Sequence, residues 1–162
     1  MRISRRLAGW LFGVLARRTF YERAPDVEIG GRSDPYMQRW HVIPRNRFFN
    51  IYFHRVLRSD DPRALHDHPW ASLSVVLTGG YTEVIEKDGS HLAVLRRTGD
   101  VTFRRASAAH RLCDPLIGTF TLFVTGPRIR NWGFYCPQGW RRWQDFCDPK
   151  DHTKPGRGCG ED

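Results

Sequence analysis

The sequence predicts an all-β protein: an antiparallel jelly roll, preceded by one short amphipathic helix. Between residues 36 and 146, β-branched and aromatic residues gather into nine short runs separated by turn residues. No part of that region has the three-to-four-residue apolar period of a helix. Gly79-Gly80 and Asp88-Gly89 stand between runs as hairpin signals. Many short strands at regular spacing, without helices between them, fit a sandwich or barrel.

Residues 1–20 are expected to form the helix. Leu7, Trp10, Leu11, Val14 and Leu15 recur at helical spacing, with Arg5, Arg6, Arg17 and Arg18 at its ends. This apolar face is expected to pack against the barrel or a second subunit, and contact with a membrane surface is the alternative. Gly9 and Gly13 weaken it as a free interfacial helix. Its apolar run falls short of the about 20 residues that cross a bilayer, and Arg17-Arg18 close it without a leader-cleavage site. Residues 21–35, "YERAPDVEIGGRSDP", read as a linker.

Residues 36–146 form the predicted barrel, with strands at "RWHVI", "RFFNIYFHRVL", "ASLSVVLT", "YTEVIE", "HLAVLRR", "DVTFRR", "AHRLC", "TFTLFVT" and "NWGFYC". Residues 147–162 are polar and rich in Gly and Pro, and are expected to be an extended or disordered tail.

The chain of 162 residues is enough for one domain with its own core. Its formal charge of +9 comes from 23 Arg and 3 Lys scattered along the whole length, against 17 acidic residues. No helix-turn-helix, zinc-finger or RNA-binding signature accompanies the charge, so a nucleic-acid partner is not expected. The scatter suits a bias in amino-acid usage at least as well as a binding stripe. Cys113, Cys136, Cys147 and Cys159 show no paired spacing, and a chain of this size needs no disulfide staples. A reducing cytoplasm is therefore the default location, with the cysteines unpaired.

The stretch "ALHDHPW" carries most of the chemistry. On a strand, His66 and His68 share a face while Asp67 points away, so the pair offers two imidazoles to one ion. Pro69 fits the end of a strand. A third ligand must come from another strand, and His110, in "TGDVTFRRASAAHRLCD", is the best candidate.

These residues resemble the two motifs of the cupins. His66-Asp67-His68 matches the first motif's His-x-His, with Ser72 or Leu73 where a glutamate is usual and Gly79 or Gly80 closing it. Gly99 leads to His110 in the second, and Asp114 stands in the usual asparagine's place, while Arg105 and Ser107 replace its Pro and Gly. The resemblance covers about residues 36–146 and implies a jelly roll holding one divalent transition metal through His66, His68 and His110. Three histidines favour Fe(II), with Zn, Ni, Mn or Cu as alternatives.

A narrower likeness is to the thiol dioxygenases, three-histidine iron cupins. It implies that Tyr52, His54 and Val56 face inward, with Tyr52 and His54 at the substrate. It also implies that an arginine holds the substrate carboxylate, with Arg39 first and Arg45 and Arg47 as rivals. Thr121-Leu122-Phe123-Val124-Thr125 replaces the Ser-x-His-x-Tyr strand of those enzymes.

The expected function is that of a metal-dependent, oxygenase-like enzyme acting on a small anionic molecule. One alternative is a metal-dependent isomerase or epimerase with His54 or Glu83 as base. Another is a non-enzymatic binding module, nucleic-acid-associated through its arginines. Glu83 is also a candidate carboxylate ligand, and Arg128 and Arg130 are candidate anion contacts. A site built from Cys136, Cys147, His152 and Cys159 matches no zinc spacing. The barrel edges and first helix suit a homodimer.

Overall fold

A computed structural model describes residues 1–31, 33–60, 64–152 and 156–160. Its strands follow from alternating and β-branched runs, and they fall into two antiparallel six-stranded sheets. The elements in chain order are α1 (Arg5–Arg17), β1 (Val27–Ile29), β2 (Met37–His41), β3 (Asn50–Val56), β4 (Leu65–His66), β5 (Ser72–Thr78) and β6 (Gly80–Lys87). They continue with β7 (Ser90–Arg97), β8 (Val101–Arg104), β9 (His110–Cys113), β10 (Thr119–Thr125), β11 (Gly133–Cys136), β12 (Gly139–Arg142) and α2 (Trp143–Phe146). One sheet runs β1-β2-β3-β10-β5-β8 and the other β12-β11-β4-β9-β6-β7. This is the expected jelly roll.

Burial on both faces of the first sheet explains the continuous apolar reading of β5. Trp40, Phe53, Val75, Leu77 and Phe120 face outward and are covered by Leu11, Phe12, Leu15 and Ala16 of α1. The alternate residues face the barrel interior, where Met37, Val56, Val76, Tyr81 and Leu112 form a second cluster. The helix therefore packs on the barrel. Ser4 caps it, its Oγ accepting the Leu7 N–H at 3.2 Å. Arg2 adds a bridge to Asp100 beside β8, with a side-chain ion pair of 2.7 Å. Only part of the expected apolar face is used, because Leu7, Trp10 and Val14 are turned to solvent.

Asp88-Gly89 makes the expected two-residue hairpin, both residues having positive φ, and Lys87 pairs with Ser90 across it. Gly79-Gly80 does not make one. β5 pairs with β8 and β10, whereas β6 pairs with β7 and β9, so the two glycines carry the chain from one sheet to the other. A Cβ on Gly79, at φ +70, would lie 2.8 Å from the Thr119 Cα, so this corner needs glycine twice over.

Three further expectations are corrected. The proposed linker contains β1, which pairs with β2 and extends the first sheet. Within the tail, Gly156 and Gly158 donate to the Phe146 carbonyl, each at 3.0 Å, and Cys159 is buried. Residues 153–155 and 161–162 of that tail lie outside the described residues. Finally, Cys136 and Cys159 form a disulfide across 23 residues, and Cys113 and Cys147 lie outside that bond. Sequence spacing could not show this, because the tail must first fold back onto β11.

No described helix is long and apolar enough to cross a membrane.

Candidate metal centre

Three elements place the histidines. β4 is only two residues long and is wedged between β9 and β11, so that His66 lies directly opposite His110 on one side and Phe134 on the other. The chain then leaves the sheet, which Pro69 favours. His68 is held by its own N–H, donated to the Ala106 carbonyl at 3.0 Å.

The three rings have mutual centroid distances of 5.1 Å. One ligand atom from each lies within 4.8 Å of the others, the one such cluster among the described residues. His68 Nε2 and His110 Nε2 are 2.9 Å apart. Two nitrogens at ~2.1 Å from a shared ion and at right angles to each other would be about 3.0 Å apart, so this pair has the spacing of adjacent ligands.

The far side of two rings is held by carboxylates. His66 Nδ1 is 3.2 Å from Asp60 Oδ2, and His110 Nδ1 is 2.9 Å from Glu83 Oε1. A carboxylate behind a ligating imidazole fixes the tautomer and turns the opposite nitrogen's lone pair toward the ion. Burial, together with the charges of His66 and His110, holds His68 well below the ordinary histidine range. His110 is lowered to about 4, burial outweighing the opposing pull of Glu83. Both rings are neutral at pH 7, as ligands must be.

Glu83 is fully buried, so it is neither an open-face ligand nor a base at the cavity. Burial would raise its pKa, but His110, Arg104 and Arg96 outweigh that and hold it far below the carboxylate range. Arg96 Nε and Arg104 Nε each donate to it at 2.6 Å. Asp67 is also fully buried and turns to the β11–β12 hairpin, not to the histidines, as expected. It accepts from the Gly133 N–H at 2.8 Å, from Trp140 Nε1 at 3.1 Å and from Arg130. Arg130 is thereby committed to Asp67, and Arg128 donates to Asn131 at 3.0 Å, so neither is placed as an anion contact.

His54 and Arg39 face each other across the β2–β3 pairing. Arg39 Nε donates to His54 Nε2 at 2.9 Å, and its guanidinium lies 4.7 Å from the centre of the Tyr52 ring. His54, neutral through burial and the nearby Arg39 charge, spends its acceptor nitrogen on Arg39 and is not free as a base. Tyr52 stacks under both. Arg45 and Arg47 lie in an exposed loop that lines neither cavity described below. Ser72 and Leu73 do not join the histidines. Asp114, at φ 47, uses its N–H on Ser59 and lies outside the cluster. The Cys136–Cys159 bond removes the cysteine site altogether.

An inner cavity of about 60 Å³ and an outer one of about 290 Å³ meet at His66 and His68, which line both together with Tyr36, Arg39 and Asp60, while His110 lines the inner one. Thr121 and Phe123 of β10 face the inner cavity, at the strand where the thiol-oxidising residues would stand. Asp60 and Trp70 were not singled out from the sequence. Only contact across the fold reveals them.

The chain matches no family sequence model and no curated protein. Its fold is similar to that of a putative mannose-6-phosphate isomerase from Ralstonia eutropha JMP134. That match has a TM-score of 0.51 and 21% identity, over 63% of this chain and 92% of that one. It is also similar to Fe(II)-HppE crystallised with an alternative substrate. There the TM-score is 0.51 and the identity 15%, over 65% of this chain and 56% of that one.

Proposed function

We propose that the protein is an enzyme that holds one divalent transition metal, iron(II) first, through His66, His68 and His110 and oxidises a small anionic molecule with O₂. The observation that carries this is the histidine triad, backed by Asp60 and Glu83, beside the half-buried Arg39 in the same cavity. Among the described residues no carboxylate pairs with Arg39, whose terminal N–H groups are left to meet a ligand anion. A three-histidine iron(II) site supplies one-electron chemistry and open positions for substrate and O₂.

The protein's own part is binding and orientation. Arg39 fixes the anion, His54 and Tyr52 fix Arg39, and the barrel wall of Thr121 and Phe123 excludes water from the inner side. The isomerase alternative needs a free base, and both of its candidates are engaged: Glu83 by two arginines and His110, His54 by Arg39.

The test is protein stripped with EDTA, reloaded anaerobically with iron(II) and exposed to O₂ with a panel of carboxylates, the uptake being followed with an electrode. Substrate-dependent uptake that disappears in His110→Ala is expected. Zinc retention with no uptake from the iron-loaded parent would overturn the assignment.

A further inference from the structure

We infer that the substrate of this site is a flat, apolar carboxylate, of the size of one aromatic ring with a short acidic side chain. The inference rests on the reading of Arg39 and the triad given above and adds the class of molecule.

The outer cavity has two unlike ends. Arg39, His66 and His68 line the polar end, next to Asp60. Most of the remaining wall is apolar, formed by Val27 and Ile29 of β1, Trp70, Trp132, Phe134 and Phe146, with Tyr36, His152 and Arg58 as its other polar side chains. The other arginine on this wall, Arg58, is already held. It makes a 3.0 Å ion pair with Asp34 and donates to that residue's carbonyl at 2.8 Å. A sugar would leave many of its hydroxyls against the aliphatic and aromatic carbon of this wall, at the cost of each unmade hydrogen bond. A flat apolar body needs no partner there.

Several rings along this wall are also nearly parallel. The His68 ring lies at 28° to Trp70 and 21° to Trp132, and Trp132 lies at 10° to Trp143. These rings share one orientation, so a planar ligand can stack on them while its carboxylate reaches Arg39. Size agrees as well. An apolar cavity of about 150 Å³ takes up benzene. The outer cavity, about 290 Å³, has room for a ring and a two- or three-atom acidic arm.

The test separates this class from the oxidation chemistry by using EDTA-treated, metal-free protein. Calorimetric titration with phenylacetate, acetate and 2-phenylethanol is expected to rank phenylacetate tightest, by tenfold or more over each of the others. Arg39→Gln should weaken phenylacetate tenfold while leaving 2-phenylethanol unchanged. Trp132→Ala should weaken phenylacetate and 2-phenylethanol together and leave acetate unchanged. Ile29→Trp fills the slot from the β1 side without touching Arg39, and should abolish phenylacetate binding but spare acetate. Circular dichroism checks that each variant is folded. Equal affinity for acetate and phenylacetate, or phenylacetate binding unaffected by both Arg39→Gln and Ile29→Trp, would overturn the inference. Failure of the oxygenase reading shows separately, as absent O₂ uptake in iron-loaded protein that still binds phenylacetate.

Discussion

Replacing Glu83 by glutamine keeps the shape of the side chain and removes its charge. Its carboxylate has no exposed surface and is met by Arg96 Nε and Arg104 Nε at 2.6 Å each and by His110 Nδ1 at 2.9 Å. The Arg104 side chain is 6% exposed, so its charge would be left buried without a counter-charge. Breaking a buried pair from one side costs about 3–5 kcal/mol. A domain of this size has about 5–15 kcal/mol in all, so the variant should fold with its margin sharply cut.

The same change loosens the hold on the His110 ring. A lost carboxylate behind a ligating histidine costs about 10–100-fold in metal affinity. Urea unfolding of metal-free protein reads the first effect, and zinc titration against a competing chelator reads the second. Glu86→Gln, on the exposed end of the same strand, is the control and should move neither. Removing the stranded charge as well, in Glu83→Gln/Arg104→Met, should recover part of the stability but none of the metal affinity. A folded Glu83→Gln that binds zinc as tightly as the parent would refute the positioning role. Stability within about 0.5 kcal/mol of the parent would refute the buried-pair estimate.

In metal-free protein, His54, His68 and His110 are all held below the ordinary histidine value of about 6.5. The unfolded chain therefore binds more protons than the folded one below pH 6.5. Their contribution to stability is full above that pH and is lost as pH falls toward about 4, at up to about 4 kcal/mol per pH unit for three groups. Urea midpoints at pH 7.5 and 5.5 should show this fall, and His54→Gln should flatten it by about a third. Asp67→Asn weakens the tie between the His66–His68 loop and the β11–β12 hairpin. It should lower the melting temperature by about 3–9 °C, the equivalent of about 1–3 kcal/mol, as read by calorimetry. Cys136→Ser opens the 23-residue loop and should cost about 3 kcal/mol in non-reducing urea titrations. Thiol titration of the unreduced, unfolded parent should find Cys113 and Cys147 alone; four reactive thiols would contradict the bond.

What the sequence showed was what its local pattern encodes. The nine strand runs, the Asp88-Gly89 hairpin and the His66–His68 pair depend on alternation, turn chemistry and short spacing, and all are found in the structure. His110 was legible because a second motif places it at a fixed interval from Gly99. The rest depends on contacts between distant residues. β1 is three residues long and is a strand because Val27 meets Arg39 across the sheet. Gly79-Gly80 looks like a hairpin until β5 and β6 are seen to have other partners. On α1, helical spacing marks an apolar face but not how far the barrel covers it, so Trp10 remains 63% exposed while Ala16 is buried. The Asp67–Arg130 and Cys136–Cys159 pairs cross 63 and 23 residues, with no periodic signal to announce them.

The displaced carboxylate has a consequence for how metal and ligand bind together. Where cupins usually carry a glutamate, this chain has Ser72 and Leu73, and the nearby Glu83 sits behind His110, balanced by Arg96 and Arg104. A divalent ion on three neutral histidines therefore keeps nearly its whole charge, with Asp60 behind His66 as partial compensation. Arg39 adds a further positive charge in the same cavity. Such an excess is costly in a site shielded from water, and an entering anion relieves it. Metal and carboxylate should therefore bind with positive coupling, each tightening the other by the same factor. Zinc-loaded protein should bind phenylacetate at least about fivefold more tightly than metal-free protein, and saturating phenylacetate should raise zinc affinity equally. In Arg39→Gln the overall affinity drops, yet the coupling should persist, because the uncompensated ion remains. A phenylacetate affinity indifferent to zinc would mean that the anion sits out of reach of the triad, and would separate the arginine from the metal as parts of one site.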